Sequence, residues 1–307
     1  MVNIESFTFE PLAPFSLDLS AQVFSSGDPH VRSYANGVFS QVLRVNGTLV
    51  LAEVFSMGTV EQPKLAVELK SNKPITAQTV KAAKEAIKYL FSLDFDLTTL
   101  YHEIEGDPVM KKITQQLWGF KFPTTPTVFE SLLDAIVEQQ ISIKVARTIE
   151  ERFAKKFGDK MDIDGENYYA FPTPQNVKDA CINDIRSCGL SERKAEYIYN
   201  AAQLIVGDKL NLEDMKNSSN PEEIIAELDE IRGIGVWTAE LTMLRGMQRF
   251  DALPADDFGI RRVISTYYND GKPINAAEAR EISKAWGKWK GLAAFYLIIA
   301  EVKALVI

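Results

Sequence analysis

The chain has 307 residues, 46% of them hydrophobic and 25% charged, enough for two or three domains with cores of their own. Two cysteines, Cys181 and Cys188, and two histidines, His30 and His102, exclude a disulfide framework, a four-thiolate cluster and a multi-histidine zinc centre, leaving carboxylates as the expected agents of any chemistry. A formal charge of -8 argues against broad electrostatic attraction to nucleic acid, so such a partner would have to be met by a local basic or dipolar patch.

No run of about 18 uncharged apolar residues occurs, and "MVNIESFTFEPLAPF" lacks the basic-then-apolar layout of a signal peptide. No membrane partner is expected, and an intracellular location is. Along the first hundred residues, "FSLDLSAQVF" and "GVFSQVLRVNGTLVLAEVFS" read as strands, with Asn46-Gly47 placed for a two-residue primed hairpin turn. "KLAVELKS" supplies another strand, and "ITAQTVKAAKEAIKYLFSL" has helical periodicity. Residues 1–98 therefore read as an α+β domain.

Beyond residue 98 strand signals fade and helix punctuation takes over. Thr127 with Glu130 resembles a capping box opening "VFESLLDAIVEQQ", and Thr173-Pro174, Ser191 and Asn220-Pro221 each resemble a helix start. In "PEEIIAELDEI" Ile224, Ile225, Leu228 and Ile231 share one helical face; in "VWTAELTMLRG" Val236, Ala239, Met243 and Leu244 do so. The two helices meet at "RGIG". Gly233 suits the left-handed conformation that ends the first helix, Ile234 can point between the pair, and Gly235 leaves the second helix's first turn, including Val236 and Thr238, open to present amides to a phosphate. A tight helix-helix turn with no ligand is the alternative.

"GIGVWTA" followed some twenty residues later by "ALPADDFGIRR" resembles the helix-hairpin-helix plus Gly-Pro-Asp signature of a DNA glycosylase superfamily. "AIVEQQIS", "CGLSERKAEYI", "GIGVWTAELTMLRG" and "AWGKWKGLAAFYL" together look like the 3-methyladenine DNA glycosylase II (AlkA-like) family. The resemblance implies an N-terminal domain like a TATA-binding-protein repeat at 1–98. It further implies a helical domain at 128–252 holding the hairpin and a second helical lobe made of 99–127 and 253–307, with the active site in the cleft between the lobes.

It also implies roles. Asp257 matches the catalytic carboxylate that stabilises an oxocarbenium-like transition state when an N-glycosidic bond breaks, while Asp256 is assigned the helix cap. Trp237 and Phe258 match positions beside the base pocket. Leu241 and Ile298 stand where some relatives carry further aromatics, and Tyr296 is a pocket candidate that would compensate. Relatives that also cut the strand place a Schiff-base lysine where this chain has Trp237. Gln140 matches the wedge that fills the stack vacated by a flipped base, with Gln139 a structural hydrogen-bonder. Arg261 and Arg262 are placed near phosphates, and Arg193 and Lys194 are weaker DNA-contact candidates.

The function so implied is excision of alkylated bases such as 3-methyladenine from double-stranded DNA by a monomeric, monofunctional hydrolase that needs no cofactor. Whether the hairpin carbonyls hold a monovalent cation stays open. A non-catalytic helix-hairpin-helix DNA-binding protein and a bifunctional oxidised-guanine glycosylase-lyase are the alternatives.

Overall fold

A computed structural model describes residues 2–307. Five strands, β1 (Asn3–Phe9), β2 (Arg32–Ala35), β3 (Val38–Val45), β4 (Thr48–Ser56) and β5 (Leu65–Ser71), form an antiparallel sheet in the order β1-β5-β4-β3-β2. At the β3–β4 turn Val45 pairs with Thr48, and Asn46 and Gly47 both take positive φ (48° and 70°), as a two-residue primed turn requires. "FSLDLSAQVF" departs from the expectation of a strand. It holds a short helix, α1 (Leu17–Ala21), because the Ser16 side chain accepts the Leu19 amide and caps a turn whose Leu17 and Ala21 are both buried.

The sheet buries both faces. Phe39, Leu43, Val50, Ala52, Val67 and Leu69 meet α2 (Ala77–Leu90) through Ala83, Ile87 and Leu90. Val42 and Leu51, directly paired across β3 and β4, point the other way and are covered by a second hairpin, β6 (Lys160–Ile163) and β7 (Glu166–Tyr169), through Met161 and Ile163. That hairpin lies inside the region read as wholly helical. Its signal was present: Asp164-Gly165 turns it with φ of 52° and 88° between short alternating runs.

The other elements are helices: α3 (Leu97–Glu103), α4 (Pro108–Gln116), α5 (Val128–Glu138), α6 (Ile143–Phe157), α7 (Pro174–Lys178), α8 (Ile182–Arg186), α9 (Glu192–Val206), α10 (Leu212–Met215), α11 (Pro221–Asp229), α12 (Val236–Gly246), α13 (Phe258–Tyr268), α14 (Ala276–Ser283) and α15 (Lys290–Val302). Side chains of Thr127, Ser142, Thr173, Ser191 and Asn220 cap α5, α6, α7, α9 and α11. Thr127 does not complete a box, however, because Glu130 is buried and turned to Arg32 of β2 at 2.9 Å.

One apolar cluster joins α5, α6, α9, α11 and part of α12. Another joins α3, α4, α13, α14 and α15. Helix α12 belongs to both, giving Ala239 and Met243 to the first and Leu244 to the second. A helix shared by two cores lies at their seam. The sheet is tied to the helices by Lys121, which is fully buried and donates through Nζ to the carbonyls of Leu12 and Leu93, both at 2.8 Å. Burial lowers its pKa to about 8. No helix among the described residues is long and apolar enough to cross a membrane.

Candidate active site

The turn between α11 and α12 uses its two glycines differently. Gly233 has φ +94°, and a Cβ there would meet the Tyr197 ring at 2.2 Å, so both backbone conformation and packing demand glycine. Ile234 is 1% exposed and fills the space between the helices. Gly235, the N-cap of α12, is extended (φ -92°, ψ 177°) and exposed, and a Cβ would find only Asp229 Oδ1, at 3.9 Å. The fold itself does not require glycine at 235. No side chain among the described residues caps α12, so the amides of its first turn, Val236 to Thr238, remain available to an anion.

Thr238 contributes to that turn through its backbone alone. Its side chain is buried, and Oγ1 accepts from Gln139 Nε2 at 3.0 Å. The same Gln139 amide donates to the Gly233 carbonyl at 2.9 Å. Gln139 therefore clamps the hairpin to the end of α5. Lys194 reinforces this end from α9, donating to the Val137 and Gln139 carbonyls at 2.8 and 2.6 Å; burial lowers its pKa. It is thus a helix-terminus clamp rather than a DNA contact. The next residue, Gln140, is exposed with φ +56°, projecting at the α5–α6 junction.

Asp257 caps α13, its Oδ1 accepting from the Ile260 amide at 3.0 Å, and its Oδ2 accepts from Trp237 Nε1 at 3.2 Å. Asp256 does not cap, contrary to the sequence assignment. It is exposed, with its nearest cation Arg280 at 3.9 Å. Because a cap residue comes immediately before the first helical residue, the helix starting at Phe258 selects the second aspartate.

Phe258 is 73% exposed at the start of α13. Leu241, one turn beyond Trp237, is buried yet in neither helical core. Ile298 is half-buried against the second core. Tyr296 is not at the cleft: it is fully buried, stands edge-on to Phe120, and donates its hydroxyl to the Phe120 carbonyl at 2.6 Å. Its position two residues before Ile298 puts it on the opposite side of α15. Arg261 makes no ion pair among the described residues, whereas Arg262 pairs with Glu301.

One positioning element went unread in the sequence. Arg280 of α14 grips both oxygens of Glu240 on α12, at 2.7 and 3.1 Å, and the Leu253 carbonyl at 3.2 Å. It thereby ties the helix carrying Trp237 to the loop carrying Asp257. Glu240 is 3% exposed, and its burial raises its pKa against the opposing effect of Arg280. Long-range ion pairs of this kind leave no local sequence pattern.

Residues 133–288 match the model of the HhH-GPD superfamily base excision DNA repair protein. The chain belongs to this superfamily. It is a DNA glycosylase, 28% identical over 259 residues to the DNA-3-methyladenine glycosylase of Bacillus subtilis (strain 168), with 81% of this chain and 85% of that protein covered. Among solved structures, the 3-methyladenine DNA glycosylase from Archaeoglobus fulgidus superposes with a TM-score of 0.86 at 27% identity, covering 98% of this chain and 100% of that one. The Clostridium acetobutylicum 8-oxoguanine glycosylase/lyase in complex with double-stranded DNA shares the fold, with a TM-score of 0.78 at 22% identity over 100% of this chain and 99% of that one.

Proposed function

We propose that this glycosylase is a monomeric, monofunctional hydrolase that flips alkylated bases out of double-stranded DNA and cleaves their N-glycosidic bond, leaving an abasic site. The observation that carries the reading is the Trp237–Asp257 hydrogen bond at the seam of the two helical cores. It holds a carboxylate in place with an indole, not an amine, beside it.

Asp257 is fixed before substrate arrives, by the Ile260 amide on one oxygen and the Trp237 indole on the other. A preorganised anion stabilises positive charge developing on the sugar without reorganising during the reaction, and it can orient a water. An alkylated purine often carries its own positive charge, so it leaves without a general acid and is held by stacking and cation-π attraction. Trp237 and Phe258 supply aromatic surface for that purpose, with Leu241 and Ile298 completing an apolar wall. Gln140 fills the gap in the stack, the α12 amides take a phosphate, and Arg261 takes another.

The likeness to two 3-methyladenine glycosylases over most of their lengths supports the alkylated-base reading. Borohydride reduction in the presence of abasic duplex DNA tests the monofunctional part. No covalent protein-DNA adduct is expected, because a Schiff base needs a primary amine at the sugar; an adduct would establish a lyase.

A further inference from the structure

Below Trp237 and Leu241, the same face of α12 carries Arg245, at i+8 from the tryptophan. Its Nη1 donates to Glu138 Oε1 at 2.6 Å, from the last residue of α5, next to Gln139 and Gln140. Its guanidinium carbon lies 5.9 Å from the centre of the Phe295 ring on α15, one turn before Ile298. Phe295 in turn packs edge-on against Phe122, with ring centres 4.5 Å apart. Trp237, Leu241 and Arg245 form one row on α12 and Ile298 and Phe295 another on α15, and the two rows close on each other where Arg245 meets Phe295.

The ion pair at this closed end is not sealed. The Arg245 and Glu138 side chains retain 20% and 15% exposure. Among the described residues Arg245 uses only Nη1 and Glu138 only Oε1, and the remaining donors of the one and acceptor of the other are neither partnered nor cut off from solvent. A free guanidinium donor next to a free carboxylate acceptor matches a group that presents a carbonyl oxygen beside an N–H.

We infer that Glu138 and Arg245 form the reading end of the base pocket and favour purines with a lactam edge, a C=O next to an N–H, over purines lacking one. The inference rests on the cleft being the base pocket of an alkylated-base glycosylase, and it names a preference within that class: methylated guanines over methylated adenines. 7-Methylguanine offers O6 to Arg245 and N1–H to Glu138, whereas 3-methyladenine has no carbonyl to offer. A site built to hydrogen-bond a substrate group discriminates strongly against a substrate without it, because its own polar groups are then left unpaired.

DNA treated with a methylating agent contains both bases, so the ratio of 7-methylguanine to 3-methyladenine released from one substrate is internally controlled. Under single-turnover conditions, Arg245→Met should lower 7-methylguanine release about tenfold or more, as loss of a charge-assisted hydrogen bond does, and leave 3-methyladenine release within about threefold, so the ratio falls. Glu138→Gln, which keeps Arg245 packed on Phe295, should move the ratio in the same direction, and Arg245→Lys should restore part of it. Equal loss of both bases, or an unchanged ratio in folded variants, would assign the pair to structure alone and overturn the inference. A wild-type protein that released neither base would instead overturn the alkylated-base reading, and this one with it.

Discussion

Replacing Gly235 by valine separates the needs of the fold from those of the ligand. The residue is extended, its backbone suits any side chain, and the nearest atom to an added Cβ is 3.9 Å away. The structural cost is then confined to the weaker N-cap propensity of valine, about 1 kcal/mol. A branched side chain over the open amides of α12 would, however, block a phosphate. Hydrogen bonds to a charged partner contribute roughly 1.5–3 kcal/mol, so affinity should drop about 10- to 100-fold. The loss should be equal for damaged and undamaged duplexes, since a phosphate contact reads no sequence. The slope of log K against log salt should shift by less than about one unit, because a neutral amide contact releases few counterions. Gly233→Val is the contrast: φ +94° and the Tyr197 ring at 2.2 Å predict a protein that folds poorly. The assay is a fluorescence-anisotropy titration at several salt concentrations, after circular dichroism confirms folding. Wild-type affinity in a folded Gly235→Val would refute phosphate binding at this turn.

Gln139→Ala removes the two hydrogen bonds that clamp Gly233 and Thr238 to α5; it should cost about 2 kcal/mol, read as a lower urea midpoint at unchanged m-value, and a shift below about 0.5 kcal/mol would count against the clamp. Glu150 carries a sealed, unpartnered oxygen, and its pKa is pushed up to about 7 by burial first and then by the Glu138 charge, against the pull of Arg32, Arg245 and Arg147. A carboxyl with a folded pKa above its unfolded value stabilises fully below the unfolded value, and that stability is lost as pH rises through the folded one, so wild-type stability should fall between about pH 4.5 and 7 by up to about 3 kcal/mol. Glu150→Gln should match wild type near pH 5 and exceed it near pH 8 in urea unfolding; parallel pH profiles for the two proteins would contradict the assignment.

Local chemistry made much of this molecule readable. Asn46-Gly47 announced its hairpin, side-chain caps at Thr127, Thr173, Ser191 and Asn220 marked helix starts, and Gly233 sits at the positive φ that its position suggested. Ser16 shows the limit. Its short alternating run satisfies a strand pattern as well as a one-turn helix, and the cap plus burial of Leu17 and Ala21 decided the outcome. Residues misplaced at the site failed for tertiary reasons. Tyr296 lies two positions from Ile298, which on a helix is the opposite side, and Lys194 was claimed by the Val137 and Gln139 carbonyls, 57 and 55 residues away. Long-range polar partners such as Arg280–Glu240, Arg245–Glu138 and Lys194 with the α5 carbonyls carry no periodicity to read. They emerge only when the helices are packed together.

In the proposed reaction the Asp257 carboxylate drives removal of alkylated bases. Single-turnover release of methylpurines from methylated duplex DNA, quantified by mass spectrometry for wild type, Asp257→Asn and Asp256→Asn, tests it directly. Asparagine keeps the cap on Ile260 but removes the charge that opposes the oxocarbenium ion, so Asp257→Asn should bind duplex DNA nearly as wild type does and release no measurable base. Asp256→Asn should release bases at close to the wild-type rate. Wild-type release by Asp257→Asn, or loss of release in Asp256→Asn alone, would contradict the account.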